Sequence, residues 1–120
     1  MKRILLVDDE PDHAYVFTLL LERNGYNVDA FTDPMEALHK FKRGIYDLII
    51  LDYSLGSDLN GLEICKKIKT IDKRAVVILL TASHEQFQDK MDEVRKNFEL
   101  VLQKPIPEPD LIQKICEVLP

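Results

Sequence analysis

Apolar positions along the chain fall into two rhythms that alternate. Ile4-Leu5-Leu6-Val7, Leu48-Ile49-Ile50-Leu51 and Val76-Val77-Ile78-Leu79-Leu80 are continuous apolar runs bounded by polar residues. Runs of this length and continuity predict strands covered on both faces, as in a parallel sheet. Val28-Asp29-Ala30-Phe31 alternates and predicts a strand with one face less covered, and Leu100-Val101-Leu102 is a short final strand. Between these runs the spacing turns helical. Val16, Phe17, Leu20 and Leu21 form one stripe, stopped by Asn24-Gly25. Asp33-Pro34 reads as an N-cap followed by proline at the first helical position. Met35, Leu38 and Phe41 carry that second helix toward Gly44. Leu62, Cys65 and Ile68 make a third stripe. Phe87, Met91, Val94 and Phe98 make a narrow fourth one, and Leu111, Ile112, Ile115, Val118 and Leu119 a fifth.

The result is strand-helix repeated five times. Such alternation predicts an α/β fold, a doubly wound, flavodoxin-like parallel sheet with helices on both faces and right-handed crossovers. Placing the three fully apolar strands in the middle gives the strand order 2-1-3-4-5. The 120 residues suit one domain, expected to span 1–120, with no internal repeat or interdomain linker.

Composition narrows the function class. The longest apolar runs are far short of the ~20 residues of a membrane span. Met1-Lys2-Arg3 precedes too short an apolar stretch for a signal peptide. A cytoplasmic protein is expected, with no membrane partner. The net charge of −5 argues against direct nucleic-acid binding through a broad basic field. Cys65 and Cys116 lie among apolar residues without metal-ligand spacing and read as two packed thiols. His13, His39 and His84 fall on predicted helices far apart in the fold and read as surface residues. None is placed to join a metal site unless His13 reaches across the first helical turn.

The chemistry collects at one end of the sheet. In open α/β sheets ligands bind beyond the carboxyl ends of the strands. After the first strand come Asp8, Asp9 and Glu10; after the third, Asp52; after the fourth, Thr81; after the fifth, Lys104. Each alone has an ordinary structural role: Asp8-Asp9 or Thr81 as helix caps, Asp52 as a turn former, Lys104 as a solvated loop residue. Together they put carboxylates, a hydroxyl and an ammonium group around one small volume. Clustered carboxylates repel, and a hard divalent cation with all-oxygen ligands, Mg²⁺, relieves that. Mg²⁺ and a lysine would neutralise phosphoryl oxygens, a threonine would donate to one, and a carboxylate remains as nucleophile.

With these residues in this order, the chain resembles a response-regulator receiver domain of two-component signalling over essentially its whole length. The resemblance rests on Asp8-Asp9, Asp52, Thr81-Ala82 and Lys104-Pro105, supported by Pro11, Asp47 and Gly61-Leu62-Glu63. It implies that Asp52 is the phosphoacceptor for a phosphoryl group from a histidine kinase phosphohistidine. It implies Mg²⁺ as cofactor, with Asp8, Asp9, Asp52 and the backbone carbonyl of Ser54 as ligands. Thr81 and Lys104 would bind the phosphoryl group, and the Lys104-Pro105 peptide would be cis. Such a domain catalyses its own phosphorylation and dephosphorylation and turns over no independent substrate. The implied partners are a sensor kinase or phosphotransfer protein and an output protein or C-terminal effector domain. The fourth helix, fifth strand and fifth helix would form the output surface or a phosphorylation-dependent dimer face.

Three features depart from similar domains. The loop from Asp52 to Gly61 is slightly long, with Gly56 where proline is frequent. Asn97-Phe98-Glu99 replaces a usual Gly-Ala step. Val101 stands where many similar domains carry the Tyr or Phe that swings inward with the threonine, so a different coupling is expected. Two further classes fit less well. An aspartyl phosphohydrolase of the haloacid-dehalogenase kind needs an Asp-x-Asp after the first strand, and Asp8-Asp9-Glu10 does not match. A flavodoxin-type cofactor module needs a Ser/Thr/Gly-rich phosphate loop there, where acidic residues would repel a nucleotide.

Overall fold

The computed structural model describes residues 1–56 and 59–119, and of His84 only the backbone. Five parallel strands, β1 (Arg3–Val7), β2 (Asn27–Phe31), β3 (Leu48–Asp52), β4 (Val77–Thr81) and β5 (Leu100–Gln103), form one sheet in the order β2-β1-β3-β4-β5. α1 (Pro11–Arg23), α2 (Pro34–Lys40), α3 (Gly61–Ile71), α4 (Met91–Asn97) and α5 (Glu108–Val118) connect and follow them. Among the described residues no helix is long and apolar enough to cross a membrane.

The apolar runs do what their continuity predicts. Successive side chains on a strand point to opposite faces. Leu5, Val7, Ile49, Leu51, Val77 and Leu79 therefore face one core with Leu62, Ile64, Cys65 and Ile68 of α3. Ile4, Leu6, Leu48, Ile50, Ile78 and Leu80 face the other with Leu21 of α1 and Leu111 and Ile115 of α5. Every residue of β3 and β4 is buried, whereas the edge strands β2 and β5 are largely half-exposed.

Helix starts follow local chemistry. Asp33 accepts a hydrogen bond from the Met35 N–H at 3.0 Å and caps α2, with Pro34 opening the helix. Asn60 does the same for α3, accepting from the Glu63 N–H at 3.0 Å while its amide donates to the Tyr53 hydroxyl at 3.3 Å. Asn60→Ala should therefore cost about 1 kcal/mol, read as a lowered midpoint in urea unfolding with an unchanged slope; an unaltered midpoint would remove the cap from the account.

Several elements depart from the expectations above. The fourth helix is not continuous. Residues His84–Lys90 form a tight 3₁₀ segment in which Phe87 leaves helical geometry (φ −136°, ψ 28°), and α4 begins only at Met91. The break lets the fully buried Phe87 ring reach Tyr53, with centroids 5.1 Å apart. α2 ends at Lys40 rather than near Gly44, because Phe41 turns extended and stacks on Tyr46 at 6.2 Å. On α1, Ala14 rather than Val16 faces the core; Val16 is 59% exposed. Of the two cysteines only Cys65 is packed, and burial pushes its thiol up to about 11. Cys116 is exposed, its sulfur 3.5 Å from the Tyr26 hydroxyl. The expectation for the His84 side chain lies outside the described residues.

Candidate functional site

Parallel register brings the strand ends together. Val7 pairs with Leu51, Asp52 with Leu80, and Thr81 with Gln103. Asp8, Asp52, Thr81 and Lys104 consequently emerge side by side at the carboxyl edge of β1, β3, β4 and β5. A surface hollow there is lined by Asp9, Glu10, His13, Asp52, Ser54, Ala82, Gln86 and Lys104.

The three aspartates converge. One carboxylate oxygen each of Asp8, Asp9 and Asp52 lies within 4.8 Å of the other two. Asp8 is 1% exposed. Its Oδ1 accepts the Glu10 N–H at 3.0 Å, so Asp8 holds the turn into α1. Its Oδ2 is buried with no hydrogen-bond partner among the described residues. A buried carboxylate oxygen without a partner is costly, and a bound cation is a common reason for one to persist. The donor set, all oxygen and acidic, suits Mg²⁺.

Asp52 is buried at the end of β3, and its Oδ2 accepts from Lys104 Nζ at 2.9 Å. Lys104 is therefore no solvated loop lysine; its side chain is 21% exposed. Burial raises the Asp52 carboxyl above its ordinary value. Lys104 opposes the rise through its hydrogen bond and charge, while the charges of Asp8 and Asp9 add to it. The Lys104–Pro105 peptide is cis, and the Lys104 N–H donates to the Thr81 carbonyl at 2.8 Å.

Two glycines make room for this arrangement. Gly56 has φ +63°, and a Cβ there would stand 2.8 Å from Asp9 Oδ2. Gly61 opens α3 against the backbone of β3, where a Cβ would meet the Asp52 carbonyl oxygen at 2.6 Å.

Thr81 is fully buried and lies at the site, but its hydroxyl is engaged on the α4 side. The Oγ1 atom is 2.6 Å from Gln86 Oε1 and 2.8 Å from the Ser83 carbonyl, and it accepts the Ser83 N–H at 3.2 Å. Gln86 in turn donates from Nε2 to Ser54 Oγ at 2.9 Å. Sequence reasoning gives no role to Gln86 and places Glu10 only by its position after β1. One signal for Gln86 is present in the sequence: Ser83-His84-Glu85-Gln86 fits the capping-box pattern Ser-x-x-Gln. His13, exposed on the first turn of α1, does reach the rim of the hollow. His39 lines a separate hollow with Arg3, Asp29 and Tyr46.

Comparison with known proteins agrees with this geometry. Residues 4–116 match the family model described as the response regulator receiver domain. Response regulator ArlR of Staphylococcus aureus is 36% identical over 119 residues, covering 99% of this chain and 53% of ArlR. The chain thus spans about half the length of the curated relatives it matches. Among solved structures, the response regulator TrrA of Thermotoga maritima, in complex with Mg²⁺ and BeF, is 35% identical. It superposes with a TM-score of 0.86, over 98% of this chain and 99% of TrrA. A receiver domain protein of Clostridium thermocellum gives a TM-score of 0.89 at 27% identity, over 99% of this chain and 94% of the other. With its strand order, its clustered strand-end aspartates and a family match over nearly all its length, the chain belongs to the response regulator receiver domains of two-component systems.

Proposed function

We propose that this domain, acting as one unit over residues 1–120, accepts a phosphoryl group on Asp52 from a phosphohistidine. The donor is a sensor histidine kinase or a phosphotransfer protein. The observation that carries the proposal is the partnerless buried Asp8 Oδ2 beside Asp9 and beside an Asp52 paired with Lys104. Asp8, Asp9, Asp52 and the Ser54 carbonyl would hold Mg²⁺, which supplies positive charge to the oxygens of the incoming group. The complex of the similar TrrA with Mg²⁺ and BeF supports this choice of metal and of ligand chemistry.

An Asp52 carboxylate oxygen attacks phosphorus. The phosphorus–nitrogen bond of the donor breaks, its electron pair leaves with the imidazole, and an acyl phosphate forms on Asp52. Lys104, already on Asp52 Oδ2, pairs with the phosphoryl oxygens and stabilises the charge that develops on them. The Thr81 hydroxyl donates a hydrogen bond to one of those oxygens. The change is read out through the face of α4, β5 and α5 by an output protein or an effector domain, in the cytoplasm. The domain acts on itself and turns over no separate substrate.

Intact mass after incubation with Mg²⁺ and acetyl phosphate tests the proposal. The parent should gain one phosphoryl group, and Asp52→Asn or added EDTA should prevent the gain. Equal uptake by Asp52→Asn would assign the acceptor elsewhere.

A further inference from the structure

The structure holds the Thr81 hydroxyl in a way the reaction above does not use. Thr81 Oγ1 carries one proton and has two acceptors near it, Gln86 Oε1 at 2.6 Å and the Ser83 carbonyl at 2.8 Å. The Ser83 carbonyl already accepts the Gln86 N–H at 3.2 Å, and the contact to Gln86 Oε1 is the shorter one. The proton therefore goes to Gln86. The other end of the same carboxamide reaches Ser54 on the loop after β3. Gln86 thus spans the mouth of the Asp52 hollow, tying the loop after β4 to the loop after β3.

The turn itself shows that this placement is a diversion. Ser83 is the N-cap of the 3₁₀ segment, and its hydroxyl accepts from the Glu85 N–H at 3.2 Å. In a complete capping box the Gln three residues on would accept the Ser83 N–H. Here Thr81 Oγ1 takes that N–H instead, and the Gln86 side chain turns to Thr81 and Ser54. Phe87, the next residue, is fully buried and departs from helical geometry, which anchors the turn while Gln86 stays at the surface.

We propose that Gln86 is a positioning residue that clamps Thr81 in the resting domain, and that phosphorylation releases the clamp by moving Thr81 onto a phosphoryl oxygen. Release leaves the Ser83 N–H without Thr81 and leaves Gln86 Oε1 without its donor. Ser83 is half-exposed and Gln86 exposed, so water takes up both groups, and the resting bond to Gln86 is what release must give up. Ser54 loses its tie to the turn at the same step. The segment leading into α4 thereby responds to events at Asp52 without an aromatic ring at Val101. This inference rests on the reading of Asp52 as the phosphoacceptor.

Calorimetric titration with Mg²⁺ and beryllofluoride, together with the three-bond couplings that report the Thr81 side-chain rotamer, tests the clamp. Gln86→Met keeps the length of the side chain and removes its hydrogen bonds. It should bind beryllofluoride roughly two- to tenfold more tightly than the parent, the ratio one neutral hydrogen bond is worth. In a Thr81→Ala background the same substitution should gain nothing. Without any ligand, the Thr81 couplings should move from one rotamer toward an average in Gln86→Met. Gln86→Glu, which still accepts the hydroxyl, should keep them as in the parent. Beryllofluoride affinities within twofold and unmoved Thr81 couplings in Gln86→Met would overturn the clamp and leave Asp52 untouched. A parent that binds no beryllofluoride would overturn both readings.

Discussion

Asp52→Asn is expected to end phosphoryl uptake completely and, in metal-free buffer at neutral pH, to leave a domain that melts higher than the parent. The two effects have one cause. Asp52 sits buried beside Asp8 and Asp9, and its carboxyl is raised above the ordinary value by burial first, then by those two charges, against the opposing pull of Lys104. A carboxyl raised in the folded state binds its proton more tightly there than in the unfolded chain. Stability is therefore greatest at low pH for this group and is lost as pH rises from the ordinary carboxylate range through the raised folded value. At neutral pH the ionised Asp52 is a net cost to the fold. Asparagine keeps an oxygen for Lys104 Nζ and removes one of the crowded charges. The melting temperature in EDTA should therefore rise above the parent's, and the gap should close as pH falls into the ordinary carboxylate range. Mg²⁺ reverses the comparison, because a ligand that binds only the folded state raises stability with its concentration. The parent should gain more from Mg²⁺ than the variant, which keeps only Asp8, Asp9 and the Ser54 carbonyl as candidate ligands. A variant that melts below the parent in EDTA would show that the Lys104–Asp52 pair outweighs burial and repulsion together.

The fold was legible because its strands are continuous apolar runs. β1, β3 and β4 are buried on nearly every side, and a short unbroken apolar run between polar residues fits little except a strand covered on both faces. The site was legible for the same reason, since parallel register places the residue after each run at one edge. What was not legible depends on tertiary demands that leave the local pattern intact. Phe87, Met91, Val94 and Phe98 have helical spacing, so nothing in their order marks the break at Phe87; the ring leaves the helix because Tyr53 waits across the core. Val16 and Ala14 both fit an α1 stripe, and only the rotation of α1 against β1 and β2 decides that the small residue goes inside. Gln86 is polar among polar residues. Its position matters because Ser54, far away in sequence, comes within 2.9 Å. The orphaned Oδ2 of Asp8 likewise exists only once burial is known.

Gly61→Ala should be the most damaging single-methyl change near the site. The backbone at Gly61 needs no left-handed conformation, so the constraint is space. A Cβ would lie 2.6 Å from the Asp52 carbonyl oxygen and 3.0 Å from both the Tyr53 Cα and a Leu79 methyl. Two of these three neighbours are backbone, at the last residue of β3 and the residue after it, and cannot rotate away. Relief requires α3 to move off the sheet, and the Gly61 N–H bond to the Tyr53 carbonyl, 2.8 Å long, would stretch with it. Overpacking of this kind costs about 3 kcal/mol, and the melting temperature should fall by roughly 10 °C on the usual scaling for a domain of this size. Because the clash falls on Asp52 itself, the surviving folded protein should also accept phosphoryl groups more slowly, by roughly 100-fold if the carboxylate shifts by about 1 Å. Gly56→Ala makes the informative contrast. Its Cβ would come nearest the Asp9 side chain, with Oδ2 at 2.8 Å, and the strain of φ +63° costs about 1–2 kcal/mol. That variant should keep most of its stability and lose Mg²⁺ affinity instead, since Asp9 must turn aside. Thermal melts with and without Mg²⁺ separate the two. If Gly61→Ala melts within about 3 °C of the parent, a shift worth under 1 kcal/mol, α3 is free to retreat from β3, and the close approach of Gly61 is not what fixes Asp52 in place.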